Sequence, residues 1–589
     1  MNYLKAARIA FAFAALTGIA GCVYIDSELG QGFIPTDQQW NVFTTDNEGN
    51  PLVLEDIEMQ PVKQLGGYSS RRLTVGTLTD SELGTVSKSA AFTLLPMMKG
   101  KYDLGKNPRN IRFHLGLAKD TICTLNESDK RIIQSIYAYE LSDTLGSNYL
   151  YASQIPAFDD SHIISKGAQL YNGEDSLSID FTEDYALRFY NALNGLQIDT
   201  LTDFTVKMPG VYLKTRNDNG SGRINMFKVA MSTDDDGYLS GNYASLRFTA
   251  DFGDRTVDTS IVMMVGGASL VDSTSTSLPA QYAYNVSEHD AKLDSYAGPV
   301  KTTTGDKLYI EGGVGLKPVI RAKELRNLAL EELKRQGLGH SVDEETGEPV
   351  PDSTKIKEII VNKATIMLPY TVPDDVDELQ WYPPILSPTI RKSYTYNDGK
   401  DEYVTYAGLT DASVSSENQG NINRSLRCYC PDISHHIQEL LKVFQKDDES
   451  DEDYEKRLEN YDIWLLIMHN ETNVSQSSSS NSSYNDYLNA LAYSSYYNNL
   501  YGYGGYGGYG GYGYGGYGGY GGYGYYNNYY NYMMMAAMYS SSSSSSTSTT
   551  TELDKDRFYK CTLNGPSATG GNKALPKLQM TFSAPKTSK

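Results

Sequence analysis

Cys22 is the residue whose neighbours say most about its chemistry. Its thiol is a nucleophile, and Ala20 and Gly21 before it are small enough to leave the preceding peptide bond open to a peptidase. Four other cysteines follow: Cys123, Cys428, Cys430 and Cys561. Cys428-Tyr429-Cys430 places two thiols on one face of a strand, where they would bond to each other only under strain. His435 and His436 follow closely but on another element, too few ligands for a zinc centre. The reading is of buried or loosely paired structural cysteines.

Other chemistry has weaker support. The seven histidines are scattered, among them His114, His435, His436 and His469. No nucleophile elbow, zincin helix or phosphate loop accompanies them. Thr233-Asp234-Asp235-Asp236-Gly237 resembles part of a calcium loop but lacks the downstream bidentate Glu, which leaves an acidic turn. Trp381-Tyr382-Pro383-Pro384, with Trp40, offers an aromatic platform for a sugar ring or ordinary packing. No catalytic residue, cofactor site or metal ligand is therefore expected. The net charge of −21 excludes a nucleic-acid groove, which needs clustered Lys and Arg.

The N-terminus supplies the context for Cys22. Lys5 and Arg8 form a basic start, and Ile9 to Gly18 an apolar run too short to span about 30 Å of hydrocarbon. With Ile19-Ala20-Gly21-Cys22 this resembles a bacterial lipoprotein signal, which implies transfer of diacylglycerol to the Cys22 thiol, cleavage before Cys22 and acylation of the freed amine. Residues 1–21 are read as a signal peptide and Cys22 as the lipidation site. Lipid chains contribute about 0.8 kcal/mol per buried CH₂, enough for stable anchoring when more than one is present.

The elements beyond read mainly as strands. Ile111, Phe113, Leu115 and Leu117 alternate with polar residues, as do Ala90, Phe92 and Leu94, and Ser135, Tyr137, Tyr139 and Leu141. Turns such as Asn217-Asp218-Asn219-Gly220 suggest antiparallel sheets. Three helices are expected. One is capped by Thr182 and stopped by Gly195, one runs from Val319 to Gln336, and one carries Ile433, Ile437, Leu440, Leu441 and Phe444. The acidic run Asp447 to Glu455 reads as a solvated loop or helix end.

Composition then shifts. From Ser477 to Thr551 the chain is mostly Ser, Asn, Tyr and Gly, with Gly-Gly-Tyr repeats from Gly504, and no charge falls between Asp486 and Glu552. Such a segment buries too little apolar surface to offset its entropy, so a long disordered loop is expected, either adhesive or inert. Strand candidates Tyr461–Met468 and Arg557–Leu563 flank it, and Leu578–Phe582 is the last. The fold class is thus mainly β, with antiparallel sandwich-like sheets and a few short helices. Its regions are 22–310, 311–476, the insert 477–551, and 552–589 returning to complete the second region.

Several segments in order are similar to a Bacteroidota lipoprotein family known as domain of unknown function 4270. They are Leu29 to Pro35, Leu73 to Gly84, Pro209-Gly210-Val211-Tyr212-Leu213, Ile359 to Ala364 with Leu368-Pro369, Asp432 to Ile437, and Leu563-Asn564-Gly565-Pro566. The resemblance implies a β-rich outer-membrane lipoprotein and carries no site residues with it. The expected role is structural or protein-binding, with the membrane reached through lipid on Cys22. The partners would be envelope proteins or glycans. The rival is a glycan-binding surface lipoprotein; an exported hydrolase would need a buried acid pair.

Overall fold

The computed structural model describes residues 40–46, 49–96, 102–146, 149–195, 202–216, 222–231, 242–266, 283–303, 305–396, 401–414, 416–476 and 545–586. Cys22, Leu29 to Pro35, the Asn217 turn, the Thr233 turn and the Gly-Gly-Tyr repeats lie outside them.

The fold is mainly β, and its sheets are antiparallel. Period-two alternation builds the first sheet. Strand Lys106–Cys123 buries Phe113, Leu115 and Leu117, and strand Gly84–Pro96 buries Ala90, Phe92 and Leu94 in the same core. The sheet has thirteen strands. Its path runs from Gln169–Tyr171 through Gln134–Leu141, Val211–Thr215, Gly84–Pro96, Arg255–Gly266, Tyr243–Phe252, Lys106–Cys123 and Gly222–Lys228 to Arg72–Asp80. Arg72–Asp80 then pairs with Gly84–Pro96, a strand already in the path, so the sheet curls back around its core. Gly76 permits that curl. Its φ is +148°, and a Cβ there would lie 2.1 Å from the Arg223 carbonyl oxygen.

Helix Glu183–Leu193 fills the curl. The Thr182 hydroxyl accepts the Tyr185 N–H at 3.3 Å, and Gly195 beyond the end has φ +77°. Tyr185, Ala186, Phe189, Tyr190 and Leu193 are buried. The Phe113 ring lies 4.6 Å from Phe189 and 4.9 Å from Phe181; each ring so buried contributes roughly 1.5–3 kcal/mol. Strand Gln134–Leu141 alternates as read, with both of its faces buried. Ile136 and Ala138 face this core, while Tyr139 and Leu141 join a second cluster with Tyr212 and Tyr284 on the other side.

A second body surrounds another core. One of its sheets has six strands: Trp40–Thr44, Lys577–Pro585, Ile360–Pro369, Cys428–Tyr429 and Ile422–Asn423 in that order, with Leu52–Val53 beside Lys577–Pro585. The other has seven: Gly298–Lys301, Asp56–Pro61, Leu316–Ile320, Ile463–Gln476, Ile385–Tyr396 and Asp401–Gly408, with Ser545–Leu553 against Ile463–Gln476. Residues 40–61 thus belong with the C-terminal strands, and the first sheet is an excursion of residues 68–289. The division at 310 read from the sequence cuts across this threading.

Two boundaries differ from the sequence reading. Val319 and Ile320 are strand, paired with Glu58 and Ile57, and the helix runs Ala322–Arg335. Arg321 provides no side-chain cap. The cap comes from Asp462, which accepts the Ala322 N–H at 2.8 Å and the Arg321 guanidinium at 2.5 Å. Helix Ser434–Leu441 forms as expected, and the second half of the acidic run opens helix Asp451–Glu459, capped by Ser450.

The insert is shorter than its composition suggests. Strand Ser545–Leu553 lies inside the Ser/Thr run and pairs with Ile463–Gln476, from Met468↔Leu553 to Gln476↔Ser545. Thr547 and Thr549 to Thr551 are β-branched and suit a strand. Residues 477–544 therefore begin and end at one hairpin pair. Of the expected strand Arg557–Leu563 only Lys560–Asn564 is strand, and it pairs with Lys307–Glu311 instead of the sheet before the insert.

Candidate functional site

A dense set of titratable groups lies where the two bodies meet. After strand Ser545–Leu553 the chain Asp554-Lys555-Asp556-Arg557-Phe558-Tyr559-Lys560 runs along this seam. The Asp554 carboxylate turns it by accepting the N–H groups of Asp556 and Arg557, each at 3.1 Å. Arg557 then bridges Glu471 at 2.7 Å and Asp554 at 2.6 Å. Arg72, from the first body, donates two hydrogen bonds of 2.8 Å to Glu471 and a further one to Asp120. Tyr559 donates to Asp554 at 2.8 Å, with His469 Nδ1 3.1 Å away. Asp556 accepts from Ser69 at 3.2 Å and Asn285 at 3.0 Å, both in the first body. Lys88 donates across to the Lys555 carbonyl at 3.0 Å.

The electrostatics follow from burial against pairing. Burial opposes the charge on Glu471, yet Arg72 and Arg557 bring its carboxyl down to about 2. Burial likewise opposes Asp554, and Arg557 holds it below the ordinary carboxylate range. Burial prevails at Asp556, which is raised, and at Lys88, which is lowered. Lys317, donating to the carbonyls of Glu311, Gly313 and Gly315, is pulled by burial to about 7. These groups hold one another. The arrangement welds two sheets, and beside it the Ser287 hydroxyl lies 3.2 Å from His289 Nε2, whose Nδ1 pairs with the buried Glu311 carboxylate.

At its Lys560 end the seam opens. Lys560 Nζ lies 3.0 Å from both Asp80 and Glu378, so the two carboxylates approach within 6 Å through it. A cleft of about 480 Å³ lies here, lined from one side by Thr79, Asp80, Ser81 and Asn126 and from the other by Asp375, Asp377, Glu378 and Trp381. A second, of about 260 Å³, shares Glu378 and Lys560. That bound on the distance between Asp80 and Glu378 includes the separation of the two acids in a retaining glycosidase. Burial opposes the Asp80 charge, and the Leu83 N–H and Lys560 still hold the carboxyl below its ordinary value. A general acid needs the opposite shift.

The residues singled out in sequence are dispersed. Trp381 is half-buried, edge-on to Phe558 at 6.3 Å, whereas Trp40 pairs with Pro585 on the six-stranded sheet. The two do not form one platform. Tyr382 is buried and donates to the Thr371 carbonyl at 2.7 Å. His114 meets Asp180 at 2.8 Å, and His436 Nε2 is 2.9 Å from the Tyr461 carbonyl. Cys123 and Cys561 are buried in separate clusters, while the sulfurs of Cys428 and Cys430 are 2.8 Å apart. Burial pushes the Cys123 thiol up to about 11. Among the described residues no three His, Cys, Asp or Glu side chains are placed to hold a metal, and no helix is long and apolar enough to cross a membrane.

Sequence reading missed the seam. Its one local signal is the alternating signs of Asp554-Lys555-Asp556-Arg557 immediately after an uncharged tract. No family model matches the chain, and no match is found among curated proteins or solved structures.

Proposed function

We propose that this chain is a non-catalytic outer-membrane lipoprotein, anchored through lipid on Cys22, whose rigid β body has a structural or protein-binding role. One observation carries the non-catalytic part. The buried charged groups of the seam, Asp554, Arg557, Glu471 and Arg72, and the Tyr559 hydroxyl are bound to one another across it. The lipoprotein part rests on the signal-like N-terminus and on the resemblance to the Bacteroidota family. Crosslinking and pull-down from intact cells tests the role. Discrete envelope proteins captured by wild type and lost with Cys22→Ala would support it. Turnover of a glycan or peptide by the purified protein would refute it.

The cleft at Trp381 favours one second reading, glycan binding. An indole edge beside Asp375, Asp377 and Glu378 matches the apolar face and hydroxyl rim of a sugar. Trp381→Ala should abolish binding on a glycan array. An array on which wild type binds nothing removes this reading.

A further inference from the structure

The six-stranded sheet turns one face outward, and its composition is unlike the rest of the chain. Strand Trp40–Thr44 is an edge strand whose neighbour is Lys577–Pro585, followed by Ile360–Pro369. In register, Trp40 faces Pro585, and Val42 and Ile360 flank Ser583 from either side. Directly opposed residues share a face. Phe43 and Phe582 stack on the inner face, 5.4 Å apart, so Trp40, Val42, Ser583 and Ile360 point out. Trp40 is 46%, Val42 67% and Ile360 49% exposed. Thr44, Thr581 and Pro585 fill the positions between them. The outward positions of these three strands carry no carboxylate, and Lys363 is the exposed charge among them, in a chain of net charge −21.

We infer that this face rests on the membrane that holds the lipid. The inference depends on anchoring at Cys22, which stands eighteen residues before Trp40. That length of chain reaches at most about 60 Å, so the tether ends at this face and keeps it within that distance of the bilayer. Tethering sets an effective concentration in the millimolar range, so a patch of only millimolar affinity docks. Tryptophan prefers the headgroup level of a bilayer, where its ring is half in hydrocarbon and its N–H is wet. The outward positions of these three strands, with no carboxylate of their own and Asp432 at their far margin beside Met367 and Gln579, avoid most of the repulsion that anionic headgroups exert on the acidic remainder. The edge strand nearest the anchor in sequence therefore orients the body on the lipid.

The test uses the full-length lipidated protein reconstituted in phosphatidylethanolamine–phosphatidylglycerol vesicles with brominated acyl chains. Part of the tryptophan emission should be quenched, and that part should vanish in Trp40→Phe. The double variant Val42→Asp/Ile360→Asp, with both changes on the surface, should lower the quenched share by about tenfold or more while still floating with the vesicles. Flotation without quenching of Trp40 overturns the docking and leaves the anchor standing. Failure to float overturns the anchor, and the docking with it. Concentration-dependent dimers that bury Trp40 without quenching assign the face to a second copy and likewise overturn it.

Discussion

Glu471 is held by two arginines from different parts of the chain, Arg72 of the first body and Arg557 of the seam segment. Its carboxyl is down to about 2 in the fold, against about 4.3 in an unfolded chain. A lowered folded value means stabilisation that is complete above about pH 5 and lost as pH falls toward 2. Glu324 has the opposite sign. Burial raises it to about 7, so it favours the fold below its unfolded value, and that advantage is lost as pH rises through 7. Thermal melts between pH 2 and 8 should show both slopes. Glu471→Gln should reduce the acid slope, leaving the share of Asp554 and Asp80, and cost about 3 kcal/mol at neutral pH, because both arginines lose a buried partner. Glu324→Gln should flatten the slope between pH 4 and 7 and leave the acid limb intact. Nothing local in the sequence marks Glu471, since Arg557 lies 86 positions away, across the insert.

The strands and helices were legible wherever one residue stretch carried its own signal. Phe113, Leu115 and Leu117 alternate, and Thr182 and Gly195 bracket a helix, so both emerged as read. The helix Ala322–Arg335 was misjudged at its start because its cap is Asp462, 140 residues away. Asp462→Ala should therefore destabilise the protein by about 1–3 kcal/mol in denaturant melts, although no local rule of helix capping involves it. Strand Ser545–Leu553 was hidden by composition, since a serine and threonine run looks the same whether paired or loose. Its pairing changes what can be removed. Replacing residues 477–544 by a four-residue turn shortens the loop by about four halvings, worth up to about 2.5 kcal/mol. That variant should melt at or above wild type. A deletion extended through Thr550 should melt lower, because it takes six residues of paired strand. A lower melting point for the 477–544 deletion would show that the insert packs on the body.

At the scale of the whole molecule, the chain enters the second body, leaves to build the curled sheet, and returns. Alternation reveals strands but not which strands pair, so the sandwich-like class was readable and the threading was not. Trp40–Thr44 and Lys577–Pro585, nearly the two ends of the described chain, lie side by side. A fragment of residues 22–310 should therefore lack a cooperative melt, and calorimetry of the mature chain should show one transition across the welded seam. Two separated transitions would show that the seam does not couple the bodies. The central claim is that this body is held to a membrane by lipid on Cys22. Mass spectrometry of the N-terminal peptide from protein extracted from membranes tests it most directly. The account expects a peptide beginning at Cys22 and carrying acyl chains. A peptide that retains residues 1–21, or an unmodified Cys22, would contradict it.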